Sequence, residues 1–74
     1  MTLDKLPVGS TARIEALKGD DLCKKRLMAL GLVRGKEISL ETKAPFGDPR
    51  IYTILGYRLS IRNEDARNIV VSSL

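Results

Sequence analysis

Three stretches of the chain alternate hydrophobic and polar side chains with a period of two residues. They cover residues 11–17, 36–43 and 57–62, and this pattern is typical of half-buried strands. Residues 50–55 are rich in side chains that favour strands and predict another one. A fifth strand is predicted near the C-terminus, over residues 69–71. The side chains expected to face the core are Ala12, Ile14 and Ala16; Ile38, Leu40 and Thr42; Tyr52 and Ile54; Tyr57, Leu59 and Ile61; and Ile69 and Val71.

A different period predicts one helix between the first two strands. Cys23, Leu27 and Leu30 recur at the spacing of a single helical face. Asp20 is typical of the residue that caps a helix at its start, and Gly31 of the residue that follows its end. A helix of about ten residues is unstable alone in water, so we expect it to pack on the sheet.

Turn-forming residues separate the predicted elements. Residues 44–49 are dense in proline and glycine and are predicted to form a loop, and residues 63–66 a short helical turn. Five short strands around one core favour a small barrel, because closure removes most exposed strand edges. We therefore expect a single domain over residues 1–74. Its predicted fold is mainly β, a small barrel of about five strands with one short α-helix inserted after the first strand.

The composition removes most catalytic chemistry. The 74 residues include no histidine and one cysteine, Cys23, so neither an internal disulfide nor a histidine general base is available. No serine has a neighbour that would activate it, and no glycine-rich phosphate loop is present. The sequence therefore predicts a protein that is not an enzyme and that needs no cofactor.

Polar clusters in the predicted helix have ordinary structural explanations. Asp20 and Asp21 are explained by capping and by the helix dipole, and Cys23 by its place on the apolar helix face. We therefore expect no metal site. The basic run at residues 24–26 is interpreted as a solvated face or as a contact for an acidic partner. No apolar stretch reaches the length of about 20 residues that spans a membrane, so we expect a cytoplasmic protein.

Four segments, in order and spacing, resemble the ferrous iron transport protein A (FeoA) family. They are LPVG with ARI at residues 6–9 and 12–14, RLMALGLVRG at 26–35, APFGDP at 44–49 and GYRLSIR at 56–62. No single segment is specific, and together they cover nearly the whole chain. The resemblance implies an SH3-like barrel with an inserted helix, a fold that also forms the C-terminal domain of iron- and manganese-dependent repressors.

The resemblance also implies a function. Proteins of this family are small cytoplasmic partners of ferrous iron transport protein B, a membrane permease with a cytoplasmic G-protein domain. The implied role is support of ferrous iron uptake by binding that permease and altering its assembly or its nucleotide cycle. The chain would then reach the inner face of the membrane through its partner, without inserting into it.

Two segments are predicted to contact the partner. The helix end would offer an apolar ridge beside a charge, and the loop would form the opposite wall; the residues are Arg26, Leu27, Leu30 and Leu32, and Pro45, Phe46, Gly47 and Asp48. Phe46 is the expected anchor, because interface energy concentrates in aromatic and arginine side chains. The alternative for Phe46 is that it closes one end of the barrel.

A further exposed apolar patch is predicted at Ile51 and Leu55. If Tyr52 and Ile54 face the core, these two residues face outward, where they would form an interface or support weak self-association. The alternatives are that the helix covers them or that the strand is shifted by one residue, which exchanges its two faces.

Two other functions stay open from the residues alone. A net charge of +4 and the row formed by Arg58 and Arg62 permit a nucleic-acid-binding barrel. However, only three aromatic side chains are available for stacking on bases, and no nucleic acid is expected as partner. A metal-sensing domain that uses carboxylates is the other alternative.

Overall fold

A computed structural model describes all 74 residues. A short 3₁₀ turn at Leu3–Lys5 precedes five strands and two helices. In chain order these are β1 (Thr11–Leu17), α1 (Asp21–Ala29), β2 (Glu37–Lys43), β3 (Arg50–Ile54), β4 (Tyr57–Ile61), α2 (Asn63–Ala66) and β5 (Ile69–Ser73). Neither helix is long and apolar enough to cross a membrane.

The five strands form one antiparallel sheet in the order β4-β3-β2-β1-β5. The prediction of a mainly β fold with five strands and one short helix after the first is confirmed. Strands β4 and β5 are the two edges of the sheet. The outer edge of β5 is bridged by the N-terminus, whereas no segment pairs with the outer edge of β4.

The N-terminal segment lies between β5 and β3. The backbone N–H of Val71 donates to the carbonyl of Met1 at 2.8 Å, and the Tyr52 hydroxyl donates to the carbonyl of Leu3 at 3.4 Å. Leu3 and Leu6 are fully buried. The pattern of alternating residues did not predict these two core positions, because the segment that holds them is neither a strand nor a long helix.

Fourteen buried side chains make up the core, and all are apolar. They are Leu3, Leu6, Ala12, Ile14, Leu27, Leu32, Ile38, Leu40, Tyr52, Ile54, Ile61, Ala66, Ile69 and Val71.

Three of the predicted inward positions are exposed. Ala16 follows a register shift between β1 and β5, and Thr42 follows one between β2 and β3. Such a bulge adds one residue to a strand and so exchanges the faces beyond it. Tyr57 keeps the register of its strand but lies at the strand's first position, where 41% of it is exposed.

Helix α1 begins and ends as the sequence predicts. An Asp20 carboxylate oxygen accepts the backbone N–H of Cys23 at 2.8 Å. At the other end Gly31 has a φ of 94°, and its N–H donates to the carbonyl of Met28 at 2.9 Å. The N–H of Leu32 donates to the carbonyl of Leu27 at 3.2 Å, which completes a Schellman motif.

Candidate protein-interaction surface

The loop between β2 and β3 carries an exposed aromatic side chain, and hydrogen bonds to α2 hold the residues that follow it. Phe46 is 99% exposed. The Asn63 side-chain amide donates to the carbonyl of Gly47, and the Asn63 backbone N–H donates to an Asp48 carboxylate oxygen, both at 3.0 Å. Phe46 therefore does not close an end of the barrel; it projects into solvent from a loop that is tied to α2.

A second apolar surface lies at the end of α1. Leu30, Leu55 and Tyr57 are 39%, 56% and 41% exposed, and we call these three residues the helix-end patch. Its members meet around Gly31, where an added Cβ atom would lie 2.9 Å from Leu55 Cδ1 and 3.2 Å from the Tyr57 hydroxyl oxygen. The Tyr57 hydroxyl donates a hydrogen bond to the carbonyl of Leu30. The turn after β3 is therefore attached to the end of α1.

Leu55 occupies an unfavourable backbone conformation. It forms the two-residue turn between β3 and β4 together with Gly56, and their φ angles are 53° and 80°. Two positive φ angles are typical of a type I′ hairpin turn, in which asparagine or aspartate precedes glycine. Leucine at this position costs about 1–2 kcal/mol relative to a right-handed conformation. Strain of this kind is concentrated at functional sites.

Two of the residues predicted to contact a partner belong to the core instead. Leu27 is 1% exposed because it lies on the face of α1 that packs on the core, and Leu32 is fully buried where the Schellman motif turns the chain back at the end of α1. Their assignment to a contact surface was wrong. Leu30, the residue between them on the predicted ridge, does reach the surface.

Arg26 is exposed, but its charge already has a partner. Its guanidinium donates to an Asp65 carboxylate oxygen at 2.7 Å, and 61% of its side chain is exposed. This ion pair connects α1 to α2. Because Asn63 connects α2 to the Phe46 loop, α2 links both predicted contact segments.

Ile51 and Leu55 do not form one exposed strand face. Ile51 is half-buried within β3, where Thr42 and Ser60 flank it on the neighbouring strands. Strand β3 ends at Ile54, and Leu55 turns away in its left-handed conformation. The prediction of an Ile51 and Leu55 patch was therefore wrong in its pairing. Leu55 joins the helix-end patch instead.

The Phe46 loop and the helix-end patch lie at opposite ends of β4. The strand begins at Tyr57, a member of the patch, and ends at Ile61, two residues before the Asn63 that braces the loop. At a rise of about 3.3 Å per residue the strand is ~13 Å long. The two surfaces therefore flank the uncovered edge of the sheet, and they do not face each other as two walls.

The alternating pattern did not reveal Tyr57 as part of this surface, because the residue sits in register with the core position Ile54. The signal in the sequence was its place directly after a two-residue turn. A side chain at the first position of an edge strand has a neighbour on only one side, which leaves it open to solvent.

Two residues behind the alternative functions are engaged in the fold, whereas Arg62 is exposed and takes part in none of the three ion pairs. Arg58 pairs with Glu41 at 3.2 Å, and Asp20 is the helix cap. No group of three or more histidine, cysteine, aspartate or glutamate side chains is placed to hold a metal ion.

Comparison with known proteins identifies relatives over almost the whole chain. The family model described as the FeoA domain matches residues 1–73. An Fe(2+) transport protein A/Fe(2+) transporter FeoB fusion protein from Porphyromonas gingivalis is 39% identical over 71 residues. That match covers 96% of this chain and 8% of the fusion protein, so the chain spans less than a tenth of the length of this relative.

Solved structures share the fold. A FeoA-like protein from Clostridium acetobutylicum is 34% identical with a TM-score of 0.94, over 100% of this chain and 86% of that one. The FeoA of Stenotrophomonas maltophilia, crystallised with zinc and described as an SH3 domain protein, is 32% identical with a TM-score of 0.83 over 97% and 89%.

The predicted likeness to repressors holds for the fold. A manganese-dependent transcriptional repressor superposes on 100% of this chain with a TM-score of 0.88, and this chain covers 41% of the repressor. At 16% identity the likeness concerns the fold alone. The five-stranded SH3-like architecture and the family model over residues 1–73 lead to one conclusion: the chain belongs to the FeoA family.

Proposed function

We propose that this protein is an accessory factor of ferrous iron uptake that binds the cytoplasmic part of the ferrous iron permease, FeoB. The P. gingivalis relative supports the association, because there a segment similar to this chain is fused to a FeoB transporter. Fusion raises the effective concentration of two domains for each other, an arrangement suited to domains that act together. The protein acts on the cytoplasmic face and binds rather than catalyses.

The observation that carries this proposal is the exposure of Phe46. A phenylalanine that is 99% exposed contributes almost no burial to the folded monomer. Burial of this side chain in a partner is worth about 2 kcal/mol, or roughly a thirty-fold gain in affinity. Because the loop is already braced by Asn63, little conformational freedom is lost when the partner binds.

The helix-end patch provides the second contact. Leu30, Leu55 and Tyr57 are each partly exposed and lie together around Gly31. Apolar side chains around a tyrosine hydroxyl form the mixed surface that protein interfaces favour. A partner that reaches from the Phe46 loop to this patch would lie along the uncovered edge of β4.

Binding at two separated points offers a means of modulating the permease. A rigid domain that contacts two parts of a partner stabilises the arrangement in which both contacts are made, and it shifts the partner's equilibrium by its differential affinity. In this way the protein would alter the assembly or the nucleotide cycle of the permease.

Calorimetric titration of the protein with the purified cytoplasmic domain of the permease, with and without guanine nucleotide, tests the proposal. We expect saturable binding that Phe46→Ala weakens by roughly thirty-fold and that Leu30→Asp abolishes. The matched control is Leu22→Ala, which truncates an exposed leucine at the other end of α1.

Each variant is first compared with the wild type in thermal unfolding, so that loss of binding is not confused with loss of fold. Absence of binding by the wild-type protein in every nucleotide state would refute the proposed function. Unchanged binding by folded Phe46→Ala and Leu30→Asp would refute the proposed surface.

A further inference from the structure

A groove on the opposite side of α1 from the helix-end patch has no role in the surface described above. It lies between the end of β1, the side of α1 that carries Lys24 and Met28, and the turn that follows the helix, and its volume is about 340 Å³. Its apolar lining comes from Ala16, Leu17, Met28 and Val33. A volume in this range accommodates one or two side chains.

Two cations without ion-pair partners border the groove. Lys24 and Arg34 line it, and neither takes part in the three ion pairs of the protein. The one acidic residue at the groove, Glu15, accepts a hydrogen bond from the Ser72 hydroxyl at 2.7 Å, which directs its carboxylate toward β5. The rim is therefore positive and complements an anionic ligand.

The backbone of β1 leaves a donor and an acceptor open at the same place. The N–H of Lys18 donates to Asn68 at 2.7 Å, and hydrogen-bonding direction alternates along an antiparallel pair. The N–H and C=O of Leu17 therefore point away from β5. On that side the pairing of β1 ends at Ile14, whose N–H donates to the carbonyl of Lys36 and whose carbonyl accepts the N–H of Gly35.

We propose that this groove binds an extended acidic segment of a protein partner. One apolar side chain of the segment fills the space between Ala16, Met28 and Val33, and its flanking carboxylates pair with Lys24 and Arg34. Its backbone bonds to the free N–H and C=O of Leu17, as in the addition of a strand to an open edge. The charge of the rim, the apolar lining and the open backbone favour such a peptide over a nucleic acid.

This inference deepens the proposed function and rests on it for the identity of the partner, a segment of the permease. The groove and the helix-end patch lie on different sides of α1, so the two contacts do not compete.

Titration of the ¹⁵N-labelled protein with the peptide acetyl-Glu-Asp-Leu-Asp-Glu-amide tests the groove without the permease. We expect saturable amide shifts at Leu17, Lys24, Val33 and Arg34 that weaken as salt is raised. A peptide with glycine in place of leucine tests the apolar anchor, and one with lysines in place of the four acids tests the charge. Both are expected to leave these amides unshifted.

Variants of the rim provide matched controls. Lys24→Glu and Arg34→Glu are each expected to weaken peptide binding on the order of five- to tenfold at low salt. Lys43→Glu makes the same change of charge at an exposed, unpaired site on β2 and is expected to change it less than twofold. Ala16→Phe fills the groove and is expected to abolish binding, with thermal unfolding as the check on its fold.

The outcomes separate this inference from the proposed function. Unshifted groove amides with the acidic peptide, or equal weakening by Lys24→Glu and Lys43→Glu, would overturn the inference. Shifts of the same amides on simple dilution would assign the groove to a second copy of the chain, and shifts with a single-stranded oligonucleotide instead of the peptide would assign it to nucleic acid. Both results would also overturn it.

Binding to the permease domain then distinguishes failure of the groove inference from failure of the proposed function. If Lys24→Glu and Ala16→Phe bind that domain as tightly as the wild type, the proposed function stands and the groove inference fails. If the wild type does not bind the domain at all, the proposed function fails, and the assignment of the groove to a segment of the permease fails with it.

Discussion

Leu55 has a strained backbone conformation and also contributes a side chain to the proposed surface. Replacing it by asparagine relieves the strain and removes the side chain, so that the two effects can be measured separately. The residue holds a φ of 53° in the turn before β4 and contributes to the helix-end patch. Asparagine tolerates this conformation far better than leucine does. Alanine removes the same leucine side chain but does not relieve the backbone. The pair Leu55→Asn and Leu55→Ala therefore isolates the cost of the conformation.

The magnitudes follow from exposure and backbone geometry. Leu55 is 56% exposed, so truncation loses a little under half of the ~2 kcal/mol that full burial of leucine provides, or about 1 kcal/mol. Relief of the left-handed conformation by asparagine returns about 1 kcal/mol. We expect Leu55→Ala to destabilise the protein by about 1 kcal/mol and Leu55→Asn to leave its stability nearly unchanged. The two variants should then differ by roughly 4–8 °C in Tm.

Thermal and urea unfolding, followed by circular dichroism, measure this difference. Binding of the permease domain by both variants completes the experiment, because Leu55→Asn should lose affinity while its stability is retained. Equal stability of the two variants, or greater stability of Leu55→Ala, would show that the turn is not strained at this position. Full affinity in Leu55→Asn would remove Leu55 from the proposed surface.

Three further predictions concern the fold that supports this surface. Gly31→Ala should destabilise the protein by about 1 kcal/mol more than Gly35→Ala does in urea unfolding. Both glycines have φ near 90°, but of the two only Gly31 has side chains close to the position of an added Cβ atom. Equal losses of stability in the two variants would contradict the contact with Leu55. Asp20→Ala should lower the free energy of unfolding by about 1 kcal/mol through loss of the cap, and an unchanged free energy of unfolding would contradict it. Burial raises the pKa of the Tyr52 phenol above its usual value, against an opposing effect of the nearby Arg50 guanidinium, so the neutral form is favoured in the folded state. The raised pKa therefore stabilises the fold fully below the unfolded pKa of about 10, and this contribution is lost as the pH rises above it. The urea midpoint should fall less between pH 8 and pH 11 for Tyr52→Phe than for the wild type. An equal fall in both proteins would contradict the raised pKa.

Regular alternation predicts the strands well, and it fails where the chain departs from regular geometry. The cap at Asp20 and the glycine at Gly31 predict the helix bounds closely because both act on the local backbone. Ala16 and Thr42 were placed on the wrong face because a bulge precedes each of them. Nothing in a period of two residues indicates where a bulge will fall.

The candidate surface was predictable only in part. Phe46 was found because a phenylalanine between proline and glycine cannot belong to a regular element. Leu27 was misplaced although the helical pattern itself puts it on the face expected to pack on the sheet. Leu32 was misplaced because the pattern does not show that the Schellman motif turns the chain after the helix toward the core. The patch around Gly31 joins residues from two distant segments, and only tertiary structure brings them together.

NMR mapping of the contact surface tests the central claim most directly. ¹⁵N-labelled protein is titrated with the unlabelled cytoplasmic domain of the permease, and the loss of amide intensity is followed residue by residue. We predict selective loss at Phe46 and Gly47 in the loop and at Gly31 and Tyr57 beside the helix end. Unchanged intensity at both of these surfaces, with the permease domain in saturating excess, would contradict the account.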